Sequence, residues 1–120
     1  MAMERLRVLK MLANEYQEKA ARFINNDISN IESLFHALHG LAAEVGEIHG
    51  IYQKYYQGHK IDSIHEKKEI GDVLWMIAEL CTIRGYRLGD IMQINLDKLN
   101  ARYPNGFEVE KSLNRKVGDI

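Results

Sequence analysis

Four acidic side chains stand in two matched pairs inside otherwise apolar segments. "LAAEVGEIHG" carries Glu44 and Glu47, and "KEIGDVLW" carries Glu69 and Asp72. If both segments are helical, each residue advances by about 100°. Glu44 and Glu47 then lie about 60° and about 120° to one side of the line through Leu41. Glu69 and Asp72 lie about 100° and about 160° to one side of Ile70. Each pair flanks an apolar stripe, so on antiparallel neighbouring helices the pairs can converge. Uncompensated carboxylates repel one another, and burying an unpaired ion costs several kcal/mol. A hard cation such as magnesium or manganese relieves that cost, because it prefers oxygen ligands and commonly also binds substrate phosphates. The competing reading is four solvated surface acids.

The elements that must position these acids read as helices throughout. Leu9, Leu12, Tyr16, Ala20 and Phe23 mark a first helix over residues 4–25. A second runs over 30–57, opened by a Ser29/Glu32 capping box and closed near Gly58, with the stripe Leu34, Leu38, Leu41, Val45, Ile48, Tyr52 and Tyr55. A third follows a Ser63/Glu66 capping box and stops at Gly85, with Ile70, Val73, Leu74, Ile77 and Cys81 as its stripe. A fourth runs from Leu88 to before Pro104, burying Leu88, Ile91, Met92, Leu96 and Leu99, and "YPNGF" turns. The expectation is an all-α, four-helix bundle with the second and third helices as an antiparallel hairpin. It forms a single domain over 1–120, with 108–120 as a flexible tail.

Other polar residues fall where a ligand would explain them. Asn95 and Arg102 lie about 20° and about 40° from Leu88, inside the fourth helix's stripe, with Lys98 at its edge. A triphosphate would satisfy them, and so would a salt bridge to a neighbouring helix or to the helix's own end. Lys54 lies two turns beyond Glu47, facing either a phosphate or solvent. Gly40, Ala43, Gly46 and Gly50 line the other face of the second helix. Glycine inside a helix costs up to about 1 kcal/mol relative to alanine, so a ligand or a second subunit is expected to come close there. Trp75 suits either base stacking or a subunit contact. His36 and His39 lack the further ligands that zinc needs, and Cys81 reads as inert core.

The 120 residues suit one modest core, and 46% are hydrophobic. A net charge of −1 without a basic run speaks against a nucleic-acid binder. One cysteine and no long apolar stretch point to a cytoplasmic protein with no membrane span.

"GLAAEVGEIHG" and "KEIGDVLWMIAEL", together with "YQEKA", "GHKID" and "NLDKLNARYPNGF", resemble the short, phage-type or stand-alone branch of the MazG-like nucleoside triphosphate pyrophosphohydrolases. The resemblance covers about residues 14–115. It implies a MazG-like bundle that completes its core and site by oligomerisation, as a homodimer or dimer of dimers. It implies magnesium-dependent cleavage of a nucleoside triphosphate, foremost a dNTP, to monophosphate and pyrophosphate, as nucleotide-pool clean-up. By position, Glu44, Glu47, Glu69 and Asp72 would be the metal ligands. Glu47 is favoured to orient the attacking water or take its proton, and Lys54, Asn95, Lys98 and Arg102 to meet the substrate. Departures are Ala43 where the family often has glycine, Phe23 after Arg22 where a small polar residue is common, and "RLGD" at Arg87–Asp90 without the usual serine cap. A di-iron bundle is disfavoured because no Glu-x-x-His occurs. A non-catalytic helical protein that binds metal or a partner is the alternative.

Overall fold

The computed structural model describes residues 11–120. The chain is all-α, with no strand among the described residues. Helix α1 spans Ala13–Ala20 and runs into a 3-10 turn at Ala21–Phe23. It is followed by α2 at Asn30–Tyr56, α3 at Ser63–Arg84, α4 at Leu88–Arg102 and a short α5 at Val109–Leu113. The expected first-helix residues before position 11, Leu9 among them, lie outside the described residues. Two compact units result, one ending at Leu88 and one formed by Gly89–Ile120. No helix among the described residues is long and apolar enough to cross a membrane.

Local chemistry sets the helix ends. The Ser29 hydroxyl accepts from the Glu32 N–H at 3.2 Å while the Ser29 N–H donates to the Glu32 carboxylate at 3.1 Å, a complete capping box. The expected second box does not form. Asp62, one residue earlier, caps α3 by accepting from the N–H groups of Ile64 and His65 at 3.0 and 3.4 Å. Glu66 instead accepts the Tyr52 hydroxyl at 2.7 Å. At the other end Gly85 takes a left-handed conformation with φ 71°, and the Tyr86 N–H closes onto the Cys81 carbonyl at 2.8 Å.

In the first unit α2 and α3 form the main pairing, and α1 lies on α3. The pairing is antiparallel: His36 meets Glu79, Gly40 meets Met76, Glu44 meets Asp72 and Tyr52 meets Glu66. A Cβ at Gly40 would lie 3.1 Å from the Met76 Cγ, so α3 itself makes the close approach there. A Cβ at Gly46 or Gly50 would meet nothing within 4 Å among the described residues.

The buried face of α2 is therefore not its leucine stripe. Ser33 and Ala37 are buried, whereas Leu38, Val45, Tyr52 and Tyr55 are exposed, as are Ile70 and Leu74 on α3. Among the described residues the buried apolar side chains are Ala20, Ala37, Met76, Ala78, Cys81 and Leu88, mostly small ones. Glu79 is buried too, its carboxylate 3.1 Å from the Nδ1 of half-exposed His36.

A buried amide ties the first unit together. Gln17 donates to the Thr82 hydroxyl at 3.2 Å and to the Tyr86 carbonyl at 2.8 Å. Its own carbonyl accepts the Leu88 N–H at 2.7 Å. Gln17 thus supplies the start of α4 with the acceptor that a serine cap would give, which offsets the unusual "RLGD" entry.

In the second unit Leu88's successors are mostly exposed: Ile91, Met92, Leu96 and Leu99 are not a buried stripe. The segment 108–120 contains a helix and an ion pair. It forms α5, and Asp119 takes two hydrogen bonds of 2.8 Å from the Arg102 guanidinium.

Candidate active site

Glu44 projects from the middle of α2, and Glu69 and Asp72 project from successive turns of α3. The antiparallel register brings them together, with one carboxylate oxygen from each lying within 4.8 Å of the others. All three are half-buried. Burial raises the Glu44 carboxyl above its usual value, followed by the charges of Asp72 and Glu69, a hydrogen bond with Glu69 and the charge of Glu47. Glu47 itself stands outside the three-acid group and is exposed.

The donor set fits a hard divalent cation. Magnesium takes oxygen ligands at about 2.0–2.1 Å in an octahedron, which sets neighbouring oxygens about 3 Å and opposite ones about 4 Å apart. The three carboxylate oxygens lie within 4.8 Å of one another, not far above that spacing. Burial first, and the neighbouring acids second, disfavour the charged form of Glu44, and such an ion would relieve both.

Two neighbours of the cluster carry no signal in the acid spacing. His65, one turn before Glu69, has its Nε2 3.2 Å from a Glu69 carboxylate oxygen. The only sequence trace of it is the i, i+4 spacing on α3. A cavity of about 670 Å³ opens beside Asp72, walled by Tyr16, Phe23, Ala20 and Trp75, with Lys19 and Lys68 also at its lining. Burial first, and the charge of Asp72 second, raise the Tyr16 phenol, so it stays protonated. The Trp75 indole N–H is buried without a hydrogen-bond partner among the described residues. Trp75 therefore belongs to the side of α3 that carries the acids.

The remaining candidates are not members of the three-acid group. Lys54 is exposed in the last turn of α2. Asn95 and Lys98 are exposed on α4, so the expected buried position of Asn95 is not found. Arg102 is largely covered, with 14% of its side chain exposed, and its partner is Asp119. This is the salt-bridge alternative, made by a residue 17 positions downstream. His36 is engaged by Glu79, and His39 stacks on Phe35 with ring centroids 6.0 Å apart. Burial raises the Cys81 thiol, which keeps it from acting as a nucleophile.

Comparison with known proteins points in the same direction as the acid cluster. The family model of the MazG nucleotide pyrophosphohydrolase domain matches residues 4–107, a span that contains all four acids. The chain is also similar to the Gene 37 protein of Mycobacterium phage L5, with 32% identity over 85 residues, covering 67% of this chain and 75% of that protein. No solved structure matches the chain.

Proposed function

This chain belongs to the MazG nucleotide pyrophosphohydrolase family, and from that premise we propose that it hydrolyses nucleoside triphosphates, dNTPs foremost, to the monophosphate and pyrophosphate. The observation that carries the reading is the meeting of Glu44, Glu69 and Asp72 within 4.8 Å across the α2–α3 pairing. These three, with Glu47 beside them, would hold magnesium, for which manganese substitutes. Such an ion, when bound, neutralises phosphate charge and acidifies a water molecule.

The chain's own groups divide the remaining work. Glu47 is exposed and outside the tight group, so a carboxylate oxygen that does not meet the ion would orient the attacking water and take its proton. His65 donates to Glu69 and fixes the carboxylate's orientation. Lys54, Asn95, Lys98 and Arg102 are assigned to the phosphate oxygens, as point charges or bidentate donors. The aromatic walls of the cavity beside Asp72 suit a nucleoside: Tyr16, Phe23 and Trp75 offer ring faces within one cavity of about 670 Å³.

The apolar stripe of α2, exposed at Leu38, Val45, Tyr52 and Tyr55, supports assembly as a homodimer or dimer of dimers. The biological role that fits is removal of nucleotides from the cytoplasmic pool. The exposure of Glu47 is also the one observation favouring the other reading, a helical protein that binds metal without turning over substrate.

A panel of NTPs and dNTPs with chromatographic product analysis tests the reading. Monophosphate and pyrophosphate, formed with magnesium and not with EDTA, are expected. Diphosphate and orthophosphate, or no product from any nucleotide, would reject it. Hydrolysis in isotopically labelled water then reports which phosphorus is attacked.

A further inference from the structure

The second unit contains a cationic cavity lined by its own residues. Its volume is about 350 Å³, and its lining includes Lys98, Arg102, Lys111, Arg115, Lys116 and Asp119. Asp119 is the one acid among these lining residues. The Arg102 guanidinium grips its two oxygens with hydrogen bonds of 2.8 and 2.8 Å, and the Arg115 Nε stands 3.4 Å from one of them. Both members of the Arg102–Asp119 pair are well covered, at 14% and 19% side-chain exposure. Lys98, Lys111 and Lys116 line the same cavity with no acid within ion-pair distance among the described residues.

A planar carboxylate held bidentate by a guanidinium occupies the geometry in which arginine takes a phosphate. The surplus of lysines around it is larger than one carboxylate requires. Lys98 and Arg102 lie inside the span matched by the family model, whereas Lys111, Arg115, Lys116 and Asp119 lie beyond it. We infer that Arg102 and Arg115, with Lys98, Lys111 and Lys116 around them, form a seat for a phosphate oxyanion of the pyrophosphate type, and that Asp119 is its built-in occupant, displaced when the anion binds. The inference rests on the assignment of Lys98 and Arg102 to phosphate, and it adds that the chain's own carboxylate competes for that place.

The consequence has a sign that a purely structural clamp would not produce. A seat filled by its own carboxylate about nine-tenths of the time loses about tenfold in apparent affinity. Removing the Asp119 charge therefore strengthens anion binding, whereas removing a mere staple weakens it. The experiment is calorimetric titration of the metal-free full chain with pyrophosphate, in EDTA so that the acid cluster takes no part. It compares the wild type with Asp119→Asn, Asp119→Ser and Arg102→Ala, with the helicity of each checked by circular dichroism.

The expected result is roughly tenfold tighter binding by both folded Asp119 variants and loss of binding in Arg102→Ala. Unchanged or weaker binding by the Asp119 variants, with loss in Arg102→Ala, overturns the competitor and leaves Arg102 as a phosphate partner. Wild-type binding by Arg102→Ala overturns the assignment beneath it as well. Binding of a single-stranded RNA oligonucleotide in clear preference to pyrophosphate would reassign the seat to nucleic acid and overturn the inference. Absence of binding by every protein does so too.

Discussion

Glu44 and Glu69 face each other across the α2–α3 pairing closely enough to share a hydrogen bond, with Asp72 beside both. Carboxylates in that relationship oppose each other's ionisation. In a chain without metal the contact is unfavourable, and with a divalent cation it becomes the ligand set. The same three side chains should therefore give opposite effects on stability in the two conditions.

Glu44→Gln should raise the melting temperature of the metal-free protein by a small amount, because it removes one of the mutually repelling charges. Saturating magnesium should stabilise the wild type by about 2.7 kcal/mol at a concentration one hundred times the dissociation constant. The variant should gain far less at the same concentration. Scanning calorimetry with and without magnesium measures both effects. A variant that melts lower without metal, yet gains as much from magnesium, would place Glu44 outside the ligand set.

Phe23 lines the cavity beside Asp72 while remaining 69% exposed, so truncating it removes a ring face at little cost to the core. Phe23→Ala should weaken nucleotide binding by about 1–3 kcal/mol if the ring stacks on a base. Binding of inorganic tripolyphosphate should be unaffected. Equal losses for nucleotide and tripolyphosphate would remove the base from this cavity.

Glycines on the two sides of α2 should respond in opposite directions. Gly40→Ala pushes a methyl group into buried Met76 and should cost about 1–3 kcal/mol of stability, as overpacking does. Gly46→Ala meets nothing within 4 Å among the described residues and should stabilise the helix by about 0.5–1 kcal/mol. Chemical denaturation gives both values. If Gly46→Ala instead destabilises and shifts the sedimentation profile toward monomer, a second copy covers that face.

This contrast also shows what the sequence could convey. Cap chemistry located the ends of α2, α3 and α4 closely, because Ser29, Gly85 and Pro104 act on their immediate neighbours. The helical spacing of the acids anticipated that the two pairs would converge, and Glu44, Glu69 and Asp72 do. The buried face of α2 was misjudged because leucine periodicity reports that a face must be covered, not which neighbour covers it. Within one chain the Ser33, Ala37 and Gly40 face allows α3 to come closer. Gln17 capping Leu88, 71 residues away, leaves no local pattern at all. Asp119 reaching back to Arg102 is equally invisible to a helical-wheel argument. Asp62 displaced Ser63 as a cap because both are good N-cap residues, and one register had to win.

The clamp in the second unit has a pH signature. The hydrogen bonds from Arg102, followed by those from Arg115, hold the Asp119 carboxyl far below its ordinary value of 3.8. A depressed folded value means that the stabilisation is fully present above pH 3.8 and is lost as the pH falls below it through the folded value. The melting temperatures of the wild type and Asp119→Asn should thus differ by a constant amount at neutral pH and draw together below pH 3.8. A difference that persists unchanged to the acid limit would mean that the carboxylate charge contributes nothing to the clamp.

The most direct measurement is manganese binding by the wild type, Glu69→Gln and Asp72→Asn, followed by calorimetry in the absence of nucleotide, alongside turnover of a dNTP panel. The expected result is saturable binding by the wild type, loss of binding and turnover in both variants, and unchanged helicity. Each substitution removes one of the three charges that lie within 4.8 Å of one another. Wild-type manganese affinity and near-normal turnover in both variants would contradict a metal centre at Glu44, Glu69 and Asp72.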